Sequence, residues 1–412
     1  MSSSFWPMSA NELNLNFKAV REQIQQLEGQ HVSALQKCDS IENIVENLEA
    51  QINMLHLFVG GELKGEYTSL NETVKDVSSG QALQLAELTQ KLDSVCSSLF
   101  LREQPIDVRF EREYYKNFPT GQSANFPNFQ QEFLKLLNGL DEESQENICL
   151  AIQRLKIIQN SQDSFMLLYS QEEKALLRQI RERFMSNVIP LGEECFSLRN
   201  YLLPINHFES CVFWDRCGVT HLKHPERLKN SDIIDAGAFI GDSALIFSPL
   251  TTQRVYAFEP TPSNYSYLEK TIELNGLKNV ISCPYALGER EGTVVLSVDG
   301  SSSTQFENDA FQYKGKEEAR VIQLDSFVKE NKLNVGLIKA DVEGAEQLLL
   351  KGAMDVLQTQ KPALLISIYH NADDFFHIKP MLEALNLGYR FKIRHPVCGS
   401  VMTETLLIAE TD

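Results

Sequence analysis

The sequence predicts an α/β chain: a Rossmann-like doubly wound sheet, preceded by a helical segment and a long N-terminal coiled coil. Three observations predict it. Apolar residues recur every 3.5 positions through the first hundred residues. Amphipathic runs of helical period follow. Residues 231–412 then alternate short apolar strands with helical runs, and several strands end in a carboxylate or histidine. The expected boundaries are 1–103, 104–230 and 231–412.

The heptad seam runs Leu13, Phe17, Val20, Ile24, Leu27, His31, Ala34, Cys38, Ile41, Val45, Leu48, Ile52, Leu55, Val59. Only His31 breaks it. Gly60 and Gly61 interrupt the pattern, which restarts at Leu63 and again at Leu85. A stripe this narrow cannot be buried by a lone helix, so it implies a partner strand. A continuous helix over 13–99 would span on the order of 130 Å. The expectation is homo-oligomerisation. A hairpin folded back at the two glycines is the alternative, and the seam leaves dimer against trimer open.

Residues 104–230 carry amphipathic runs at about 129–139, 141–158 and 171–186, with Asp141 placed as a helix start. A small helical domain is expected. Cys211, Cys217, His221 and His224 are ligand types for zinc, but their spacing is not that of a finger or ribbon.

Formal charge is −18, divided as −7, −2 and −9 over the three segments. No segment is basic, which argues against nucleic acid and against an anionic membrane held by charge. No apolar run approaches the roughly 20 residues of a membrane span. The opening MSSSFWPMSANELN has neither a basic nor an apolar signal region, and the 8 cysteines form no CxxC. A cytoplasmic protein with reduced thiols is expected.

The third segment carries the chemistry. In Ser231–Asp242 a short apolar strand runs into Asp235, Gly237 and Gly241 follow, and a helical run begins near Ser243. Glycines permit a tight turn and close approach to a ligand. Their Gly-x-x-x-Gly spacing is not that of a dinucleotide pyrophosphate site, which weighs against a nicotinamide dehydrogenase. Glu259 ends a second strand, Arg254–Phe258, 22 residues past Gly237. An acid there can chelate two ribose hydroxyls; a solvated loop carboxylate is the plainer reading. Further strands are expected at Val280–Tyr285, Val335–Ala340, Ala363–Tyr369, Tyr389–Ile393 and Thr405–Ala409. Thr293–Val298 and Ala319–Leu324 read as an inserted hairpin. Asp235, Glu259, Asp341 and His370 all fall at carboxyl ends of strands, where doubly wound sheets bind ligands.

These residues carry a family resemblance. Asp235–Asp242 (DAGAFIGD), Phe258–Pro260 (FEP), Ala286–Gly288 (ALG), Gln323–Asp325 (QLD) and Ile338–Glu346 (IKADVEGAE) together resemble the FkbM family of S-adenosylmethionine-dependent methyltransferases, over about residues 231–395. The resemblance implies a class I methyltransferase fold and O-methylation of hydroxyls, often on sugars. It implies S-adenosyl-L-methionine contacts from Asp235, Gly237 and Glu259, and extends the cofactor side to Phe239, Gly241, Asp242, Pro260 and Ala286. It places Lys339–Glu346 toward the acceptor.

An alcohol needs its proton removed as it attacks, so a base is required beside an activated methyl. His370 is the first candidate and Asp341 the second. Lys339 is either a third catalytic group or an ion-pair partner of Asp341. Glu343 and Ser303, the latter in a polar insertion loop, are placed on the acceptor side. Asp341, Glu343 and Glu346 are candidate oxygen ligands for a divalent metal, Glu343 and Glu346 sharing one helical face. The expected partner is a saccharide or other hydroxyl-bearing acceptor. The alternative function is a coiled-coil scaffold with a degenerate methyltransferase-like domain.

Overall fold

Strands covered on both faces are largely apolar, and the central strands here are so except for Asp232, Asp235 and Lys339. The computed structural model describes residues 106–163, 165–298, 303–306, 313 and 315–412. The predicted coiled coil of 1–103 lies outside them. Residues 108–163 and 179–412 pack as one unit. A second unit includes 106–107 and 165–178, where Ile106–Asp107 pairs antiparallel with Phe165–Met166.

The main sheet has seven strands: β1 (Asp232–Ala236), β2 (Val255–Phe258), β3 (Val280–Cys283), β4 (Val335–Ala340), β5 (Ala363–Ser367), β6 (Tyr389–Arg394) and β7 (Leu406–Thr411). Their order is β6-β7-β5-β4-β1-β2-β3. The doubly wound expectation holds, since β1 to β5 are mutually parallel. Ile233, Ile234, Leu337, Ile338, Leu364 and Leu365 are fully buried at its centre. β7 runs antiparallel to both β5 and β6. It follows β6 without a crossover helix, so nothing turns it parallel.

The inserted hairpin forms as Gly292–Val298 against Gly315–Ile322. Short strands Ala286–Leu287 and Ser303–Thr304 extend it to four strands.

The helices of residues 108–163 dock on this core. Glu142–Asn160 starts at Asp141, whose side chain accepts from the Ser144 amide. It lies against β6, where Ile393 donates its amide to Ser144 Oγ at 2.9 Å and accepts from Asn147. The middle segment is not purely helical, however. Val188–Gly192, Cys195–Leu198 and Tyr201–Leu203 form a three-stranded meander. Strands of five, four and three residues are too short to show alternation, and Ile189 and Leu191 are exposed, which hides the pattern further. Asn275 pins the meander to the helix Pro262–Asn275 by bonding both backbone groups of Leu202.

Candidate active site

The turn after β1 is knitted to both neighbouring strands. Gly237 and Ala238 donate their amides to Phe258 O, and Asp341 donates to Ala236 O. Gly237 has φ 75°, Phe239 φ 47° and Gly241 φ 85°. Three left-handed residues in five turn the chain sharply, and the glycines make that affordable. Gly241 caps the helix Asp242–Phe247, packed so closely that a Cβ would stand 2.8 Å from Leu268.

Glu259 follows directly on β2 and reaches this turn. Its Oε2 accepts the Phe239 amide at 3.1 Å, and its Oε1 accepts the amide and hydroxyl of Thr261. Burial pushes its carboxyl up to about 7 against these donors. Pro260 follows it and ends the strand. Ala286 opens the insertion sheet three residues beyond Cys283.

Lys339 is tied to the turn and to β1. Its Nζ donates to Gly237 O at 2.8 Å and lies 3.6 Å from Asp235 Oδ1. Its ion partner is therefore Asp235, not Asp341, because both side chains project from adjacent, in-register positions of β4 and β1. Burial lowers the Lys339 pKa, but Asp235 and then Asp341 outweigh it and hold the ammonium charged. Burial dominates at Asp235 and raises its pKa despite Lys339 and a 2.7 Å hydrogen bond from Ser243.

Asp341 follows β4, and His370 lies three residues beyond β5. The buried His370 ring is set among three carboxylates. Its Nε2 is 3.4 Å from Asp341 and 3.5 Å from Glu343, and its Nδ1 is 3.1 Å from Glu346. Burial disfavours the imidazolium, but Glu346 leads the three carboxylates in raising it to about 10. His370 and Asp341, the two candidate bases, thus stand side by side, the ring buried and the carboxylate partly exposed.

The helix expected from Glu343 begins at Glu346. Glu343 has φ 55° and Gly344 φ 94°, so these residues form a turn, and the two glutamates meet His370 from opposite nitrogens instead of sharing a helix face. Glu346 Oε1 also accepts the Val342 amide and closes the turn. Thr304 Oγ1 donates to Glu343 O at 2.8 Å, so the insertion touches this loop. The Ser303 side chain lies outside the described residues.

Two contributions were not foreseen. His207 stands 3.0 Å from Glu209 and edge-on to Phe239. One ligand atom each of His207, Glu209 and Asp242 lie within 4.8 Å of one another. Burial raises Asp242 to about 7, and Glu209 outweighs burial to raise His207 to about 9. Glu404, with φ 68° in the loop before β7, accepts from Tyr369 OH and is raised to about 8, chiefly by burial and then Asp341. Neither lies in a glycine turn or at a parallel strand end, so no local signal marked them. The cysteine–histidine set does not converge: His221 pairs with Asp215, His224 with Glu226, and Cys211 donates to Glu209.

Residues 235–391 match the sequence profile of the methyltransferase FkbM domain. The matched segment runs from within β1 into β6. Methyltransferase 1 of Beauveria bassiana (strain ARSEF 2860) is 27% identical over 189 residues, covering 40% of this chain and 75% of that protein. The crystal structure of methyltransferase FkbM from Methylobacillus flagellatus KT superposes with TM-score 0.46 at 18% identity, over 69% of this chain and 60% of that one. Aeropyrum pernix fibrillarin, solved with natively bound S-adenosyl-L-methionine, gives TM-score 0.30 at 11% identity, over 48% of this chain and 73% of that one. The matched segment holds β2 to β5 whole and parts of β1 and β6, while β7 lies beyond it. Two motifs take structural roles within it. Asp325 accepts the amides of Asp355 and Val356, and Glu346 closes its own turn.

Proposed function

We propose that this chain transfers the methyl group of S-adenosyl-L-methionine to a hydroxyl, on a sugar of a glycan or polysaccharide. The observation that carries the reading is the meeting of Glu259 with the glycine turn through the Phe239 amide. A buried carboxylate at the end of β2 suits a ribose diol, and Asp235 Oδ1, buried without a hydrogen bond, leaves further acceptor capacity beside the turn. The donor set fits a cationic cofactor. When bound, S-adenosylmethionine supplies a methyl already activated by its sulfonium.

Glu259 holds and orients the diol. Lys339 fixes the turn through Gly237 O and neutralises Asp235. Asp341, one residue past β4 and partly exposed, takes the acceptor proton as the new C–O bond forms. His370 positions Asp341. The acceptor side presents carboxylates, while Lys339 is spent on the turn; this favours a neutral polyol over an anionic acceptor. Among the described residues no helix is long and apolar enough to cross a membrane. A cytoplasmic homo-oligomer joined by the N-terminal seam completes the reading. The scaffold alternative is not favoured, since the turn, Glu259 and Asp341 are assembled.

Calorimetric titration with S-adenosylhomocysteine tests the reading, and mass spectrometry of saccharides incubated with labelled methyl donor tests the acceptor. No binding at millimolar ligand would remove the cofactor, and methylation of nitrogen or carbon would remove the hydroxyl.

A further inference from the structure

The acids around His370 exceed what proton removal requires. Asp341, Glu343 and Glu346 converge on one imidazole that is 4% exposed. Carboxylate oxygens stand 3.1 to 3.5 Å from its nitrogens, yet neither nitrogen has an aligned hydrogen bond. A buried ring left so is costly. Three carboxylates against one imidazole also leave excess negative charge, whatever the ring's protonation.

The two sides of the ring differ. On the Nδ1 side Glu346 is fully buried, and its Oε1 is held by the Val342 amide. On the Nε2 side Asp341 and Glu343 are 27% and 32% exposed, which leaves an entry path.

We propose that His370 Nε2, one carboxylate oxygen of Asp341 and the carboxylate of Glu343 bind one divalent cation, with Glu346 behind on Nδ1 and the second Asp341 oxygen left free for a proton. Histidine ligands commonly donate their other ring N–H to a carboxylate, which fixes tautomer and orientation. Glu346 stands in that place. One imidazole with two carboxylates suits Mn²⁺ or a similar ion. One ligand atom each of Asp341, Glu346 and His370 lie within 4.8 Å of one another, and Asp341 and Glu343 both approach the same ring nitrogen, Nε2. Remaining coordination positions face the partly exposed side, open to water or to vicinal hydroxyls of an acceptor. That use rests on the function proposed above; the binding itself does not.

The test is Mn²⁺ titrated into the full chain, read by electron paramagnetic resonance of the free ion and by calorimetry. One ion per chain is expected. Glu343→Gln and Asp341→Asn should weaken binding at least about tenfold, and Glu346→Gln by about 10–100-fold. Glu343 is partly exposed, so its variant, checked by circular dichroism, guards against misfolding. No Mn²⁺ bound at millimolar ion, or wild-type affinity in Glu343→Gln, overturns the site. S-adenosylhomocysteine binding is measured on the same samples. S-adenosylhomocysteine bound without Mn²⁺ sinks the cation alone; Mn²⁺ bound without S-adenosylhomocysteine sinks the methyltransferase reading alone.

Discussion

The carbonyl oxygen of Asp341 lies 1.8 Å from where a Cβ on residue 237 would sit. The turn that follows β1 and the loop that follows β4 are thus interlocked backbone to backbone. The Asp341 amide on Ala236 O and the Lys339 ammonium on Gly237 O add to the lock. A movement on the cofactor side is felt at once at the proposed base.

Gly237→Ala should therefore be severe. It adds a clash with a backbone atom to a left-handed φ, together roughly 3 kcal/mol. Thermal unfolding is the measurement. A variant as stable as wild type, with unchanged S-adenosylhomocysteine affinity, would show that the two loops separate freely.

Glu259 must be ionised to accept two ribose hydroxyls, and burial sets its titration at about 7. Affinity for S-adenosylhomocysteine should accordingly be about tenfold weaker at pH 6 than at pH 8, following the ionised fraction. Glu259→Gln should cost about 1–3 kcal/mol of binding and flatten the profile. Calorimetry across this range decides it, and a flat wild-type profile takes Glu259 out of the ribose role.

The ligand-free protein should lose stability as pH rises from 6 to 9. Glu259 and Asp242 are raised to about 7, and His207 to about 9. Each folded-state value lies above the unfolded one, so between the two the folded state holds more protons. Stability from such groups is present below the unfolded pKa and lost as pH climbs through the folded one. Melting temperature against pH, with Asp242→Asn and Glu259→Gln as controls, is the readout. A rising curve would contradict the assignment.

Asp341→Asn should lower turnover about 10²–10⁴-fold. Its cofactor affinity should stay near wild type, because the turn is held by the residue's backbone. Steady-state kinetics beside calorimetry separate the two quantities, and full activity would leave another group as the base.

The heptad seam of residues 13–99 predicts that deleting 1–103 lowers the oligomeric state. Light scattering reads this directly. An unchanged number of chains per particle would favour the intramolecular hairpin.

The parallel core was legible because β5 is an aliphatic run and β1 and β4 carry aliphatic pairs, Ile233–Ile234 and Leu337–Ile338, and Asp235, Glu259 and Asp341 follow from where such strands end. His370 was found by position, just beyond the end of β5, but its carboxylate surroundings were not. Its environment is made by Glu343 and Glu346 on a left-handed turn that resembles a helix start in sequence. His207, Glu209 and Glu404 were missed for a different reason. They come from a loop before a four-residue helix and from the return into an antiparallel strand, where no periodicity points to a site. The meander stayed hidden because short strands with exposed Ile189 and Leu191 lack alternation.

Placing β7 between β5 and β6 has a consequence for biosynthesis. Strand β6 is translated before the strand that joins it to the sheet. Until residue 411 has left the ribosome, β6 has no neighbour and β5 has an open edge. At about 5–20 residues per second the nascent chain carries that gap only briefly. During it Leu364, Ile366 and Ile393 lack the cover that Leu407 and Ala409 later give. The final strand works as a latch, and a ribosome stalled shortly before it would leave a sticky, chaperone-dependent intermediate.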